Sequence, residues 1–292
     1  MTELLKLRRR DTGVPEPHRR DAAVRSAPAV WVATGSHDIS LIHADLPERP
    51  RRVCTPFMAR VVRCGEGGFL WALDHPDLRL WVRAPGAVWS RLGIVARRLA
   101  AGPRGEAWVV TDDGQLLVVD WRNARREERL PEHIGAQDIA VSWDGAVWLL
   151  TDVLRGSGYL VQHRDAGSES FTELPPPATA VALSASPEGY AWAVNGHGAI
   201  WVLHPRGAGN MPHCGLDPSC RRCRRSDGIA GVMEVTIGSD GSAWAMTGRV
   251  GTERALFFRD AEASDGFRRV SFAGRPLSIA ASFSSAEELT HE

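Results

Sequence analysis

The sequence AQDIAVSWDGAVWLL at positions 136–150 contains two apolar runs joined by Trp143-Asp144-Gly145. The Asp-Gly pair favours a tight turn, because both residues accept backbone conformations that most others resist. The flanking runs are short and rich in apolar and β-branched residues, as buried strands are. The stretch therefore predicts an antiparallel hairpin whose second strand carries Trp148.

Trp148 belongs to a pattern that occurs six times along the chain. Each copy has a small or apolar residue, a tryptophan, two apolar residues, and then Thr, Asn or Asp. The spacings between the six tryptophans are 40, 37, 40, 44 and 52 residues. A period near 40 with several short strands per unit is typical of β-propeller blades. The copies are AVWVAT (29–34), FLWALD (69–74), EAWVVT (106–111), AVWLLT (146–151), YAWAVN (190–195) and SAWAMT (242–247).

Each repeat predicts four antiparallel strands, here called A to D. An alternating run before the turn is strand A, the tryptophan segment is strand B, a third apolar run is strand C, and a short aromatic-x-x-aliphatic segment is the outer strand D. The predicted A strands start at Ala59, Ala96, Gln137, Thr179 and Met233, the C strands at Leu78, Gln115, Tyr159, Ala199 and Ala255, and the D strands cover 89–92, 171–174 and 267–270.

The two ends of the repeat region complete each other. The first repeat starts at strand B without a strand A, and PLSIAAS at 276–282 is a strand A without a strand B. Because unpaired strand edges are unfavourable, we expect 276–282 to enter the first blade as its innermost strand. The sequence therefore predicts an all-β fold, a closed six-bladed propeller over 29–285 with an insertion at 205–231 in the fifth blade.

The remaining segments are a basic tail, 1–28, and a short end, 286–292. For the tail we expect either flexibility or docking to a partner. The tail has charges where a secretory signal needs an apolar run, so we expect a cytoplasmic protein, free or incorporated into a particle.

The modules at 136–150 and at 232–246 (VMEVTIGSDGSAWAM) resemble tectonin repeats, the units of six-bladed tectonin and tachylectin-type lectins. The resemblance extends over about 29–282, with degenerate first, second and fifth repeats. It implies a six-bladed propeller and a sugar-binding recognition role. Propellers of this kind also occur as modules of larger assemblies.

Composition and motifs narrow the function classes. The 35 basic and 35 acidic residues balance, so net charge gives no argument for nucleic acid or an anionic membrane as partner. No apolar run reaches the roughly 18 residues of a membrane span. The Trp-x-x-Thr pattern is also similar to streptogramin lyases, but we find no matching histidine motif, and that group usually closes with seven blades. We therefore predict that the chain is not an enzyme.

Two tryptophans outside the repeated position are candidates for ligand binding. The repeated tryptophans themselves are interpreted as apolar filling between blades. Trp121 follows strand C of the third repeat and Trp143 lies in the A–B turn of the fourth, so both belong to the same face and are expected to flank one groove. Arg122, Asn123 and Asp144 are the hydrogen-bonding neighbours for a sugar. The alternative is that each tryptophan packs on its own loop.

The fifth-repeat insertion holds a cluster of possible metal ligands. Cys220 and Cys223 form a CxxC pair, in which two intervening residues let both thiolates face one zinc ion. His213 or Cys214 would complete the tetrahedral set. The alternative is a surface loop with free thiols.

Two functions from different classes therefore stand at this stage. The first, which is the predicted function, is a non-catalytic, lectin-like recognition propeller that binds glycans in grooves between blades, and the second is its alternative. The second is a structural or adaptor subunit that docks protein partners in a larger assembly, such as a phage-tail-like or secretion particle.

Overall fold

A computed structural model describes residues 28–36, 38–128, 135–175, 178–187, 189–205, 229–248, 253–261 and 266–281. Within these ranges the strands form six antiparallel sheets. In chain order the strands are β1 (Ala29–Thr34), β2 (Ile39–His43), β3 (Arg51–Val53), β4 (Ala59–Cys64), β5 (Leu70–Asp74), β6 (Arg79–Arg83), β7 (Ser90–Val95), β8 (Arg98–Ala101), β9 (Ala107–Val110), β10 (Leu116–Val119), β11 (Arg125–Glu128), β12 (Ala136–Val141), β13 (Val147–Arg155), β14 (Gly158–Arg164), β15 (Thr172–Glu173), β16 (Thr179–Ala180), β17 (Ala182–Ala185), β18 (Ala191–Val194), β19 (Ile200–Leu203), β20 (Val232–Ile237), β21 (Ala243–Thr247), β22 (Ala255–Arg259), β23 (Arg268–Val270) and β24 (Pro276–Ala281).

The six sheets are the six predicted blades, arranged as a ring. The innermost strands contact one another in cyclic order, from β24 through β4, β8, β12, β17 and β20 back to β24. From the inside outwards the blades are β24-β1-β2-β3, β4-β5-β6-β7, β8-β9-β10-β11, β12-β13-β14-β15, β17-β18-β19 and β20-β21-β22-β23. The predicted all-β, six-bladed fold is confirmed.

Closure of the ring by the C-terminal strand is also confirmed. Strand β24 pairs antiparallel with β1, and its register places Ala280 opposite Trp31 and Ile279 opposite Val32. The first blade is therefore built from both ends of the repeat region. This arrangement covers the edge that β1 would otherwise expose at the centre of the ring.

Blades 4 and 5 depart from the common pattern. Strand β13 extends to Arg155 in a long hairpin with β14, and the short strand β16 pairs with β14 beside β15. Blade 5 has three strands among the described residues, β17 to β19, and the predicted insertion after them lies largely outside the described ranges.

The core lies between the blades and follows the repeat. Six apolar clusters fill the six junctions, and each contains one repeated tryptophan packed against strands of the next blade. Two of the indoles also donate a hydrogen bond across the junction: Trp71 Nε1 to Gly105 O at 3.1 Å, and Trp148 Nε1 to Gly189 O at 3.2 Å. The interpretation as inter-blade filling is confirmed for all six, which are at most 7% exposed: Trp31, Trp71, Trp108, Trp148, Trp192 and Trp244.

The antiparallel blades give the ring two distinct faces. The A–B and C–D connections lie on one face, here called the AB face. The B–C connections and the links between blades lie on the other, here called the BC face. A side chain in a turn therefore belongs to one face according to the strands that the turn joins.

Candidate functional site

The central channel is lined by the inner strands of all six blades. It contains a small cavity of about 50 Å³, whose walls combine alanines with a few polar side chains. One polar cluster joins three blades: Arg63 Nη1 on β4 lies 2.8 Å from Glu234 Oε1 on β20. Ser278 on β24 lies between them, accepting from Arg63 Nη1 at 2.9 Å and donating to Glu234 Oε1 at 3.2 Å.

The second polar cluster in the channel joins blades 3, 4 and 5. Asp138 on β12 accepts the backbone N–H of Leu183 on β17 at 3.1 Å. Its other oxygen lies 3.8 Å from Arg98 Nε on β8. The carboxylate of Asp138 in blade 4 thus links the inner strands of blades 3 and 5.

Both channel carboxyl groups are harder to ionise than in water. Burial raises the pKa of Asp138, and the positive charges of Arg98 and Arg63 oppose the rise only in part. Burial likewise raises the pKa of Glu234 against the opposing charge of Arg63 and the N–H of Ile279. Because Asp138 and Glu234 are committed to inter-strand hydrogen bonds, the channel clusters act primarily as clamps between blades.

The exposed aromatic side chains lie on the AB face. Among the described residues, three large aromatics are more than a third exposed: Trp121 at 42%, Trp143 at 38% and Tyr190 at 37%. Trp121 lies in the C–D turn of blade 3, Trp143 in the A–B turn of blade 4, and Tyr190 before strand B of blade 5. The exposed large side chains of the BC face, such as Leu154 and Val181, are aliphatic.

Trp121 lies against the preceding blade. Its ring centroid is 6.4 Å from that of Phe69, which follows the A–B turn of blade 2. The guanidinium of Arg122 lies over the indole, 4.4 Å from the ring centroid. The structure therefore gives Trp121 a neighbour, Phe69, that sequence analysis did not name.

Trp143 and Asp144 lie in a turn that is closed by the aspartate itself. Asp144 Oδ1 accepts the hydroxyl of Ser142 and the N–H of Ala146, the latter at 3.0 Å. Its other oxygen is directed towards Gly189 of blade 5. Trp121 thus lies near blade 2, whereas only the second carboxylate oxygen of Asp144 lies near blade 5.

Asn123, the remaining predicted ligand-binding residue, has a structural role in its turn. Its φ of 68° is in the left-handed region that asparagine tolerates better than most residues. Its Oδ1 accepts hydrogen bonds from Arg125 at 3.3 Å. Of the three polar groups predicted to meet a sugar, Asn123 and Asp144 therefore already use their oxygens within their own turns.

The predicted zinc ligands lie outside the described residues: His213, Cys214, Cys220 and Cys223. Within the described ranges, no group of three or more His, Cys, Asp or Glu side chains is placed to hold a metal ion. The described part of the chain also has no helix that is long and apolar enough to cross a membrane.

Sequence reasoning missed the channel clusters and Phe69. Arg63, Asp138 and Glu234 occur in alternating strand A runs, where a charged residue normally indicates a solvent-facing position. In a ring, the open edge of strand A faces the axis, so these charges meet across blades that are far apart in sequence. The sequence did contain one signal: Asp138 and Glu234 each occupy the third residue of their strand A.

The comparisons with known proteins identify a fold and no family. No protein family model matches the sequence, and a search of curated proteins found no match. The chain is similar to virginiamycin B lyase from Staphylococcus aureus, with a TM-score of 0.52 and 14% identity, covering 85% of each chain. It is similar to a protein of unknown function from Bacteroides caccae, with a TM-score of 0.55 and 12% identity, covering 88% of this chain and 99% of that one.

A third similar structure is YCF48 bound to D1 peptide. The TM-score is 0.50 and the identity 12%, covering 84% of this chain and 77% of that one. At these identities the likeness establishes the propeller architecture and leaves function to the residues of this chain.

The prediction that the chain is not an enzyme is corrected by these comparisons. Virginiamycin B lyase is an enzyme, and this chain has its architecture over most of the length. The sequence lacks the motifs of phosphate-binding and nucleophile-elbow enzymes, but a propeller carries its chemistry on loops that follow no such motif. The count of six repeats, which weighed against a lyase-like propeller, does not prevent the structural match.

Proposed function

We propose that this chain is a recognition propeller whose AB face binds a protein partner. The observation that carries the proposal is the position of the exposed aromatics. Trp121, Trp143 and Tyr190 all lie on this face, in three successive blades. Exposed aromatic and arginine side chains are the residues most enriched at the energetic centres of protein interfaces.

The blades differ from one another in a way that suits a single partner. Trp121 has Phe69 and Arg122 as neighbours, and Tyr190 lies against His204 at 4.3 Å between ring centroids. These surroundings do not repeat around the ring, as they would if each blade bound the same small ligand. This asymmetry supports the role of an adaptor in a larger assembly, and the similar structure of YCF48 was solved with a bound peptide.

Glycan binding is the second candidate. The resemblance to tectonin repeats supports it, as does Trp143, an indole that is 38% exposed in a turn. Two observations argue against glycan binding. Arg122 covers one face of Trp121. The side-chain oxygens of Asn123 and Asp144 already accept hydrogen bonds within their own turns. A sugar needs both a free aromatic face and free hydrogen-bonding groups.

The experiment that tests the proposal compares the two faces directly. The immobilised protein is screened in parallel against a displayed peptide library and a glycan array. The AB-face variant is W121A/W143A, and the matched BC-face control is V153A/L154A, which removes two exposed aliphatic side chains from the blade 4 hairpin. Melting temperatures establish that both variants remain folded.

The proposal expects peptides that bind the wild type and the BC-face control, and that lose at least roughly tenfold in affinity with the AB-face variant. Binding of glycans alone, lost in the same variant, would establish the second candidate instead. Peptide binding that is lost only in V153A/L154A would overturn the assignment of the AB face.

A further inference from the structure

Two turns of blade 3 converge on Phe69 of blade 2. A Cβ atom added to Gly105, in the A–B turn, would come within 2.6 Å of the Phe69 ring, so the turn backbone rests directly on the ring. Trp121, in the C–D turn, contacts the same ring at 6.4 Å between centroids. The patch formed by Phe69, Arg104, Trp121, Arg122 and Arg125 is called here the blade 2–3 patch.

The arginines of this patch are exposed and have no ion pair with any described carboxylate. Arg122 lies over the Trp121 ring at 4.4 Å. Among the described residues, the acceptors for Arg125 are neutral: the Asn123 side chain and the Gly93 carbonyl, each at 3.3 Å. The patch thus presents guanidinium N–H donors beside two aromatic rings.

The carboxylates of the same turns are half-buried and serve the turns themselves. Glu106 accepts the N–H of Arg104 at 2.8 Å and the indole N–H of Trp108 at 3.3 Å. Asp120 Oδ1 accepts the N–H of Ala124 at 2.8 Å. Glu66, in the short 3₁₀ turn before Phe69, is an exposed carboxylate. The described side chains of these turns therefore present mainly positive charge to solvent.

We propose that the blade 2–3 patch binds an acidic segment of the partner protein, a segment with carboxylates on either side of one large apolar residue. This inference rests on the proposed function and specifies the partner's chemistry. Guanidinium groups pair with carboxylates in a bidentate geometry that no other side chain provides. The Phe69 and Trp121 rings supply the apolar contact, and stacking on Trp121 holds Arg122 in place before the partner arrives.

The test uses short fluorescein-labelled peptides and fluorescence anisotropy. One peptide has Asp and Glu on both sides of a single Trp, a second has Lys and Arg in place of the acids, and a third has Ser and Gln. Polyglutamate without an apolar residue is the fourth probe, and a heparin oligosaccharide is the fifth. The variants are R104Q/R122Q, E66Q and the control R155Q, which removes one exposed positive charge from the BC face.

We expect the acidic peptide to bind best and R104Q/R122Q to weaken it, by roughly two- to fivefold for each charge removed. E66Q should strengthen binding, because it removes the exposed carboxylate beside the patch. R155Q should bind the acidic peptide with the affinity of the wild type. Raising the ionic strength should weaken binding, since the screening length falls from about 10 Å at 0.1 M salt to about 3 Å at 1 M.

Three results would overturn the inference. The first is equal binding of the acidic and neutral peptides, and the second is an equal effect of R155Q and R104Q/R122Q. The third is stronger binding of polyglutamate or heparin than of the acidic peptide, because either would identify general anion binding. Library peptides that bind through Trp121 and Trp143 without acidic residues would contradict this inference alone and leave the proposed function intact.

Discussion

Arg63 and Glu234 form an ion pair of 2.8 Å between blades 2 and 6, the two neighbours of the blade in which the ends of the repeat region pair. The ring-closing strand β24 lies between them. Glu234 accepts the N–H of Ile279 at 3.2 Å, and Arg63 donates to the Ile279 carbonyl at 3.2 Å. The two residues of the ion pair therefore both bind the backbone of β24, the strand that closes the ring.

Removing Arg63 should destabilise the whole ring. R63Q leaves the partly buried carboxylate of Glu234 without its ion-pair partner, and we expect a loss of about 2–4 kcal/mol in the free energy of unfolding. E234Q should cost less, because the amide keeps an acceptor for the N–H of Ile279. Urea unfolding followed by tryptophan fluorescence measures both. R52Q, which breaks an exposed ion pair with Asp38, is the control and should change stability by about 1 kcal/mol or less. Equal stability of R63Q and R52Q would contradict the clamp.

Deleting residues 276–292 should abolish cooperative unfolding. The truncated chain lacks β24, so apolar residues of β1 such as Trp31 and Val32 lose their inner neighbours. A chain that ends at residue 284 keeps β24 and is the matched control. We expect aggregation or a broad transition for the longer deletion and wild-type melting for the control. Identical melting curves would mean that β24 does not close the ring.

His163 should make the protein less stable in acid. It is 3% exposed, its ring lies 4.5 Å from that of Trp148, and its Nε2 has no hydrogen-bond partner among the described residues. Burial lowers its pKa in spite of the opposing charges of Asp165 and Asp144. Below about pH 6.5, His163 is therefore protonated in the unfolded chain but stays neutral in the folded one. The free energy of unfolding consequently falls as the pH drops below about 6.5.

Phenylalanine should replace His163 without this penalty. The equivalent contact in blade 6, Trp244 with Phe258 at 4.7 Å, already has an apolar ring. H163F should therefore melt higher than the wild type at pH 5 and show a smaller loss between pH 8 and pH 5. H197F changes an exposed histidine and should keep the wild-type pH dependence. A larger acid loss in H163F than in the wild type would contradict the assignment.

The zinc prediction is tested by metal content. Thiolates bind zinc only when deprotonated, so a real site should hold about one equivalent after purification without chelator and release it to acid. Substituting Cys220 and Cys223 together by serine should abolish the metal. Substituting Cys64, which is buried at the end of β4, should leave it unchanged. Protein without zinc and with freely alkylated thiols would identify a loop with free cysteines.

The repeat predicted the fold because the residues that pack neighbouring blades together lie at the same position in every repeat. Each strand B must supply one large apolar side chain to the junction with the next blade, so the six tryptophans recur at blade spacing. Asp144 and Gly145 likewise mark a turn through their own backbone preferences. The missing strand at each end then determined the closure, since a ring leaves no other place for 276–282.

The candidate sites could not be predicted in full, because the sequence does not show towards which blade a turn side chain projects. Trp121 was predicted to flank one groove with Trp143 of blade 4, and the structure places the Trp121 ring near Phe69 of blade 2. A Cβ atom at position 105 would lie 2.6 Å from the Phe69 ring, so the glycine allows the neighbouring A–B turn to approach that ring. Arg63 and Glu234 are 171 positions apart in the chain (234 minus 63), and only ring closure brings them into contact.

The central claim, that the AB face binds the partner, is tested most directly by hydrogen–deuterium exchange of the protein with and without a peptide selected on the wild type. The prediction is slower exchange in the turns at 102–106, 120–124 and 142–146, with no change in the B–C turns at 111–115 and 195–199. Slower exchange confined to the B–C turns would contradict the claim, because the peptide would then be bound on the opposite face.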